Sequence, residues 1–316
     1  MKVKKIVVKI APILGLILLV LAFFILGNNK GINISYGLKS IFNQSVVVAV
    51  VATGAVFIYT LGSFDISLGA SCAVSALIGG ITYLKTENLL LVLAVCVGIA
   101  VLVALTDSVL ANVFHLPVFV TTIAMLSVLN ALVLLLISMG GTGSEIAVPM
   151  AAVRPYDTTL IKLCVLGGYF AICLFFFEFT AVGRRQKYLG GNPKCAKLTG
   201  ISLGKYSIIA FVLCGIGVGL GAFLSIIYSP TLTRNTASSV GMDVIIAIVF
   251  GGMPVSGGAR SRIWAAIVGA FSMSFLGQIM VMLNFNSGVG QIVKAVIFLL
   301  VVFVASGSTS RKTLPR

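Results

Sequence analysis

Gly190-Gly191-Asn192-Pro193-Lys194-Cys195-Ala196-Lys197-Leu198-Thr199-Gly200 is a polar, basic island bounded by glycines. Long apolar runs flank it, near 159–180 and 206–228. Each reaches the roughly 20 residues that cross a bilayer as a helix. The pattern predicts a membrane protein that presents a short helix to an aqueous face. Such a helix is a natural docking element for a soluble partner, which points to one part of a larger machine rather than to a self-contained enzyme.

Working outward, the chain of 316 residues is 59% hydrophobic and only 9% charged, whereas soluble domains carry about a quarter charged residues. A single transmembrane domain over 1–316, all-α and multi-span, is expected. The net charge of +15 does not indicate nucleic acid, because most of it lies in short segments between apolar runs, where it reads as a topology signal. The six cysteines (Cys72, Cys96, Cys164, Cys173, Cys195, Cys214) form no CxxC pair and fall mostly in apolar runs. They read as small packing residues, not as disulfides or a zinc site.

Spans are predicted near 10–27, 43–61, 66–84, 89–113, 117–138, 159–180, 206–228, 239–253, 263–283 and 289–305. The start, Met1-Lys2-Val3-Lys4-Lys5 and then Ile10 to Leu26, imitates a signal peptide, but its apolar stretch is long and no small-residue cleavage site follows. It is read as the first span. Ten spans put both termini on one side. With that side cytoplasmic, 15 of the 22 Lys and Arg are inside. They comprise the N-terminal lysines, the six from Arg184 to Lys205, Arg260, Arg262, Arg311, Lys312 and Arg316. Five lie outside (Lys30, Lys39, Lys85, Arg154, Arg234), and the bias favours this orientation.

A weak repeat links the two halves. Gly62-Ser63-Phe64-Asp65-Ile66-Ser67-Leu68-Gly69-Ala70 and, 189 residues on, Gly251-Gly252-Met253-Pro254-Val255-Ser256-Gly257-Gly258-Ala259 both lead into an apolar run. Paired broken segments in corresponding halves mark transporters built from repeats and point to the translocation path. Asn43, Asp65, Ser67, Asn130, Gly251, Gly252 and Ser256 are therefore candidates for that path. The alternatives are local: Ser67 and Ser256 as caps of the following helices, Asp65 as a charge at a helix N-terminus, the asparagines as ties between helices. Asp107 and Asp243 carry the same ambiguity. With one histidine, His115, and neither an HExxH nor a Walker A pattern, the chain offers no catalytic, metal or ATP-binding constellation.

Several of these segments resemble ribose-type permease subunits of bacterial ATP-binding-cassette (ABC) importers, within the branched-chain/ribose permease superfamily. The stretch Gly183 to Ile201 is similar to that family's cytoplasmic loop, Ser63 to Gly69 to its Gly-Ile-Asp-Leu-Ser-x-Gly element, Val249 to Gly258 to its second glycine-rich element, and Pro117 to Thr122 to its Pro-Pro-Phe-Ile-x-Thr segment. The likeness spans about 40–305. It implies the type II importer fold, about ten transmembrane helices per subunit with two glycine-broken segments in related halves. It further implies a homodimeric or pseudo-dimeric permease, with no cofactor bound by this chain, in the bacterial inner membrane. A cytoplasmic ATPase would use ATP and magnesium, and an extracytoplasmic binding protein would deliver a monosaccharide. The segment 183–205 would then carry the coupling helix, with Gly190, Gly191, Asn192, Pro193, Lys194, Ala196, Lys197, Leu198, Gly200 and Ile201 facing the ATPase groove. Lys194 and Lys197 read equally as positive-inside anchors. The chain departs from the family at Asp107-Ser108 (often Asn-Gly there), at Val118, and at Pro254 and Arg260-Ser261-Arg262. The competing functions are an ABC permease for nucleosides or branched-chain amino acids, and an ion-coupled secondary transporter, which would need buried relay charges.

Overall fold

The computed structural model describes residues 2–31, 33–140, 145–237 and 239–310. In order they form α1 (Lys2–Asn29), α2 (Ile34–Thr60), α3 (Leu68–Thr86), α4 (Leu89–Val113), α5 (Val118–Gly140), β1 (Glu145–Ala147), α6 (Met150–Val153) and α7 (Thr159–Leu174). There follow α8 (Ala181–Gly191), α9 (Pro193–Leu198), α10 (Leu203–Tyr228), β2 (Thr231–Thr233), α11 (Val240–Phe250), α12 (Trp264–Met282) and α13 (Ser287–Ser310). The two strands pair antiparallel, with Ile146 opposite Leu232. The basic residues Arg311, Lys312 and Arg316, used above for orientation, lie outside the described residues.

Among the described residues eight helices are long and apolar enough to cross a membrane: α1 from Ala11, α2, α3, α4, α5, α7 with the π-helical turn Phe175–Phe179, α10 and α12. Of the remaining predicted spans, 289–305 falls within α13 and 239–253 is a shorter helix. α11 has 11 residues, about 16 Å at 1.5 Å per residue, or roughly half of a 30 Å hydrocarbon core. The chain before it, Thr233 to Ala237, must itself enter the bundle, since Ala237 O and Gly241 N both lie beside Gly69 at the start of α3. Hydropathy marked where the apolar residues are but not the depth at which the helix begins.

α2 is the central pillar, buried along nearly its whole length from Asn43 to Thr60. It starts nine residues before its predicted boundary, because Tyr36, Lys39 and Ser40 dilute the hydropathy of a turn that is still helical. α10 packs against it on one side and against α4 on the other, and its sequence explains how. Gly215 and Gly219 face α4, where a methyl group at Gly219 would lie 2.4 Å from Val97 Cα. Gly217 and Gly221 face α2, with Val50 O 3.0 Å from a methyl at Gly217. Two small-residue rows at i, i+4 spacing let three backbones approach, the usual basis of helix association where lipid supplies no hydrophobic drive. Tyr169 of α7 closes the same junction by donating to Leu213 O at 2.6 Å. α1 lies to one side, held through Phe23 packed edge-on against Phe275 of α12.

The repeat survives as architecture but not as residue register. α2 and α11 each end in a glycine turn, with positive φ at Gly62 (+76°) and at Gly252 (+90°), one residue beyond the expected match. α3 begins at Leu68 but α12 only at Trp264, so the second loop is longer. Ser256 therefore does not cap α12; it is an exposed turn residue eight positions upstream. Ser67 stands at the cap position of α3 but makes no cap bond. Asp65 accepts from the Ser67 N–H instead, at 2.8 Å.

Candidate functional site

The island quoted at the outset folds as two short helices with a rigid seat. Thr180 Oγ1 accepts from the Val182 N–H and starts α8. Gly183, Gln186 and Leu189 are buried, at the three-residue spacing that lines one helical face. Gln186 Nε2 donates to Tyr206 O at 3.2 Å, the Arg185 guanidinium bonds the Tyr206 hydroxyl, and Leu189 packs with Ala196 and Tyr206. Arg184 and Arg185 are thus not equivalent: the second is committed to the bundle.

α9 is specified at both ends by local chemistry. Asn192 has extended backbone and its side chain accepts from the Cys195 N–H at 3.1 Å. Pro193 follows at the first helical position, where it forgoes no bond. Gly200, at φ +77°, closes the other end, and the Ile201 N–H reaches back to Ala196 O at 3.1 Å, the reach of a Schellman cap. Replacing Asn192 by alanine should cost about 1 kcal/mol at this cap. The expected signature is faster hydrogen exchange at the Cys195 amide with the rest of the bundle unchanged; equal exchange rates would mean the cap does not hold α9.

What α9 shows to solvent is a basic and apolar face. Lys194, Cys195, Lys197 and Leu198 are exposed, Leu198 to 88%, and Tyr188 of α8 stands beside them at 69%. Ile201, expected to share the apolar face with Leu198, is half-buried and packs inward against the Leu189 cluster. Ala196 is likewise buried, so these two seat the helix rather than present it.

The seat joins three parts of the sequence. A methyl group at Gly190 would lie 1.8 Å from Thr60 O, at the end of α2, and 2.8 Å from Gly258 N. Gly257 touches the Tyr59 and Thr60 carbonyls, and Gly62 faces Ser256 O. Both glycine-rich loops, 61–67 and 251–263, therefore meet at the same end of the bundle, directly under α8. α8 thus rests directly on the last turn of α2 and on the turn between α11 and α12.

The candidate path residues are not gathered into one chamber. Asn43 is buried roughly five helical turns from that end, and its side chain accepts from Lys162 Nζ at 2.6 Å. Lys162 also pairs with Asp157. Asp65 and Ser67 are buried at the near end with Asp107. Asn130 is exposed on α5, and Gly251, Gly252 and Ser256 belong to the loop beneath α8. Sequence reading missed the pairing of Lys162 with Asn43 and of Lys294 with Asp243, the latter at 2.5 Å. A lysine inside an apolar run signals that a partner exists, but not which one. Gly200-Ile201-Ser202-Leu203-Gly204 has the G-x-S-x-G spacing of a hydrolase nucleophile turn. Here Ser202 joins two helices, not a strand to a helix, and its hydroxyl faces the Lys205 N–H that opens α10.

A bundle of long apolar helices that exposes one capped, basic helix at the junction of its broken segments defines a multipass membrane permease subunit. The family model described as branched-chain amino acid transport system / permease component matches residues 37–305, and the chain belongs to that family. Ribose import permease protein RbsC of Escherichia coli (strain K12) is 24% identical over 283 residues, covering 84% of each chain. The protein of the same name from Bacillus subtilis (strain 168) is 26% identical over 302 residues, 94% of this chain and 92% of the relative. Galactofuranose transporter permease protein YtfT of E. coli (strain K12) is 25% identical over 272 residues, 84% of this chain and 78% of the relative. No solved structure matches the chain.

Proposed function

We propose that this chain is the membrane permease subunit of an ABC importer and forms the passage for a monosaccharide handed over by an extracytoplasmic binding protein. The observation that carries the proposal is the seating of α8 and α9: an exposed basic and apolar helix, fixed against the end of α2 and both glycine loops. In this reading a cytoplasmic ATPase, which alone uses ATP and magnesium, receives Leu198 in an apolar hollow, with acidic groups near Lys194 and Lys197. Closure of the ATPase pair pushes α9, and the close contact at Gly190 passes the movement to α2 and to the α11–α12 turn. A second permease copy or paralogue completes the passage, with α9 and both termini on the cytoplasmic side of the inner membrane. The sugar relatives favour a monosaccharide over a nucleoside or branched-chain amino acid.

The experiment is uptake in reconstituted vesicles containing this chain, its ATPase and its binding protein, offered labelled pentoses, hexoses, nucleosides and branched-chain amino acids. ATP-dependent uptake of one or more monosaccharides is expected. Uptake confined to nucleosides or amino acids, or uptake driven by an ion gradient without ATP, would overturn the assignment.

A further inference from the structure

Three side chains meet in the bundle interior where α3, α4 and α10 pack. Ser67 Oγ lies 2.7 Å from Asp65 Oδ1 and 3.1 Å from Asp107 Oδ2, and all three residues are buried. Asp107 Oδ1 is buried as well and has no hydrogen-bond partner. The group borders a cavity of about 10 Å³, room for about one water, whose other walls include Ser71, Ala100, Ala104 and Cys214. No lysine, arginine or histidine lines it. The other titratable groups that face it are acids: the Cys214 thiol on α10, and on α2 the Tyr59 phenol, whose ring stacks edge-on with Phe64. α5 contributes the neutral Thr122 hydroxyl, which accepts from the Ile66 N–H at 3.4 Å.

The count of hydrogens bears on the charge. Ser67 carries one hydroxyl hydrogen, and two carboxyl oxygens lie within bonding distance of its oxygen. The shorter contact is to Asp65, which also receives the Ser67 N–H at 2.8 Å and sits at the positive N-terminal end of α3. Asp65 is therefore the better-supported anion. Asp107 Oδ2 then approaches a hydroxyl oxygen whose hydrogen is already committed, and two lone pairs would oppose each other unless Asp107 brings its own hydrogen. Two uncompensated carboxylates around one hydroxyl in a dry interior are also far more costly than one.

We infer that Asp65 and Asp107 hold a single proton between them, on Asp107 Oδ2, forming a relay in which Asp107 donates to Ser67 and Ser67 donates to the Asp65 carboxylate. The unpartnered Asp107 Oδ1 is the carbonyl oxygen of that acid and faces the cavity, where one water can donate to it. Asp65 and Ser67 belong to the loop between α2 and α3, whereas Asp107 belongs to α4, so any movement of the loop against α4 opens the relay and frees the proton to exchange.

The test is infrared absorption of the purified full chain in lipid nanodiscs at neutral pH, in the carboxylic-acid C=O region. Wild type is expected to show one protonated buried carboxyl band, which Asp107→Asn removes. Absence of the band in wild type, or its survival in Asp107→Asn, overturns the assignment. Should Asp107→Asn fail to fold, Asp107→Glu decides in its place, and a band left at the wild-type position in that variant overturns the assignment equally. Replacing choline chloride by sodium chloride addresses a metal cation in place of the proton. Sodium-dependent thermal stabilisation that needs Asp107, with no acid band, would also overturn it.

Discussion

Replacement of Gly190 by alanine is expected to cut uptake about tenfold or more, while the same replacement at Gly191 leaves it within about twofold. The two residues are neighbours at the end of α8 and differ in what a methyl group would meet. At Gly190 it would lie 1.8 Å from the Thr60 carbonyl oxygen, whereas at Gly191 nothing lies within 4 Å. Both partners at Gly190 are backbone atoms, so no side chain can swing away; α8 must lift from the end of α2. Forcing one methyl into a packed interior costs typically 1–3 kcal/mol, and 1.4 kcal/mol already corresponds to a factor of ten in an equilibrium. The comparison isolates the seat from the docking face, since neither glycine carries a side chain for the ATPase to read. Equal uptake by both variants would show that the contact between α8 and α2 does not transmit the movement.

The largest effect on stability is expected from Asp243→Asn. Asp243 lies in the first turn of α11, 3% exposed, and its carboxylate meets Lys294 Nζ of α13 at 2.5 Å. Removing the carboxylate strands Lys294, at a cost of about 3 kcal/mol, the lower end of the range for buried pairs, because the lysine side chain keeps 16% of its surface exposed. Thermal unfolding in detergent should show a clear drop for the single variant. The double variant Asp243→Asn, Lys294→Met should recover most of the loss, because both desolvated charges are then gone. The pair matters to the fold because α11 starts within the bundle and has only 11 residues of its own to hold it. A single variant as stable as wild type would mean that α13 does not anchor this half-helix.

Which parts were legible in the sequence follows from the range of the forces involved. Spans such as α4 and α10 are written in local hydropathy, and the bounds of α9 in Asn192, Pro193 and Gly200, each acting within a few residues of itself. Gly190 to Gly200 could therefore be singled out from composition alone. The seat of that helix was not legible, because Thr60, Gly190 and Gly258 are brought together by packing, and nothing in a glycine announces which backbone will press on it. The same holds for Asn43 with Lys162, 119 residues apart, and for Ser67 with Asp107, 40 apart. The internal repeat misled at Ser256 for a different reason. Identities in a chain rich in glycine and alanine aligned the residues, while the longer second loop moved the start of α12 well past them. The depth of α11 was hidden because hydropathy does not distinguish a half-helix from a short span.

The central claim, that α9 is the contact for a cytoplasmic ATPase, is tested most directly by purifying the tagged chain from its native membrane in mild detergent. Mass spectrometry then identifies what accompanies it. The wild-type chain should bring an ATPase subunit. A variant carrying Lys194→Glu, Lys197→Glu and Leu198→Asp should lose it without a change in thermal unfolding, because all three side chains are exposed. Recovery of the wild-type chain alone under several gentle conditions, or full retention of the ATPase by the variant, would contradict the account.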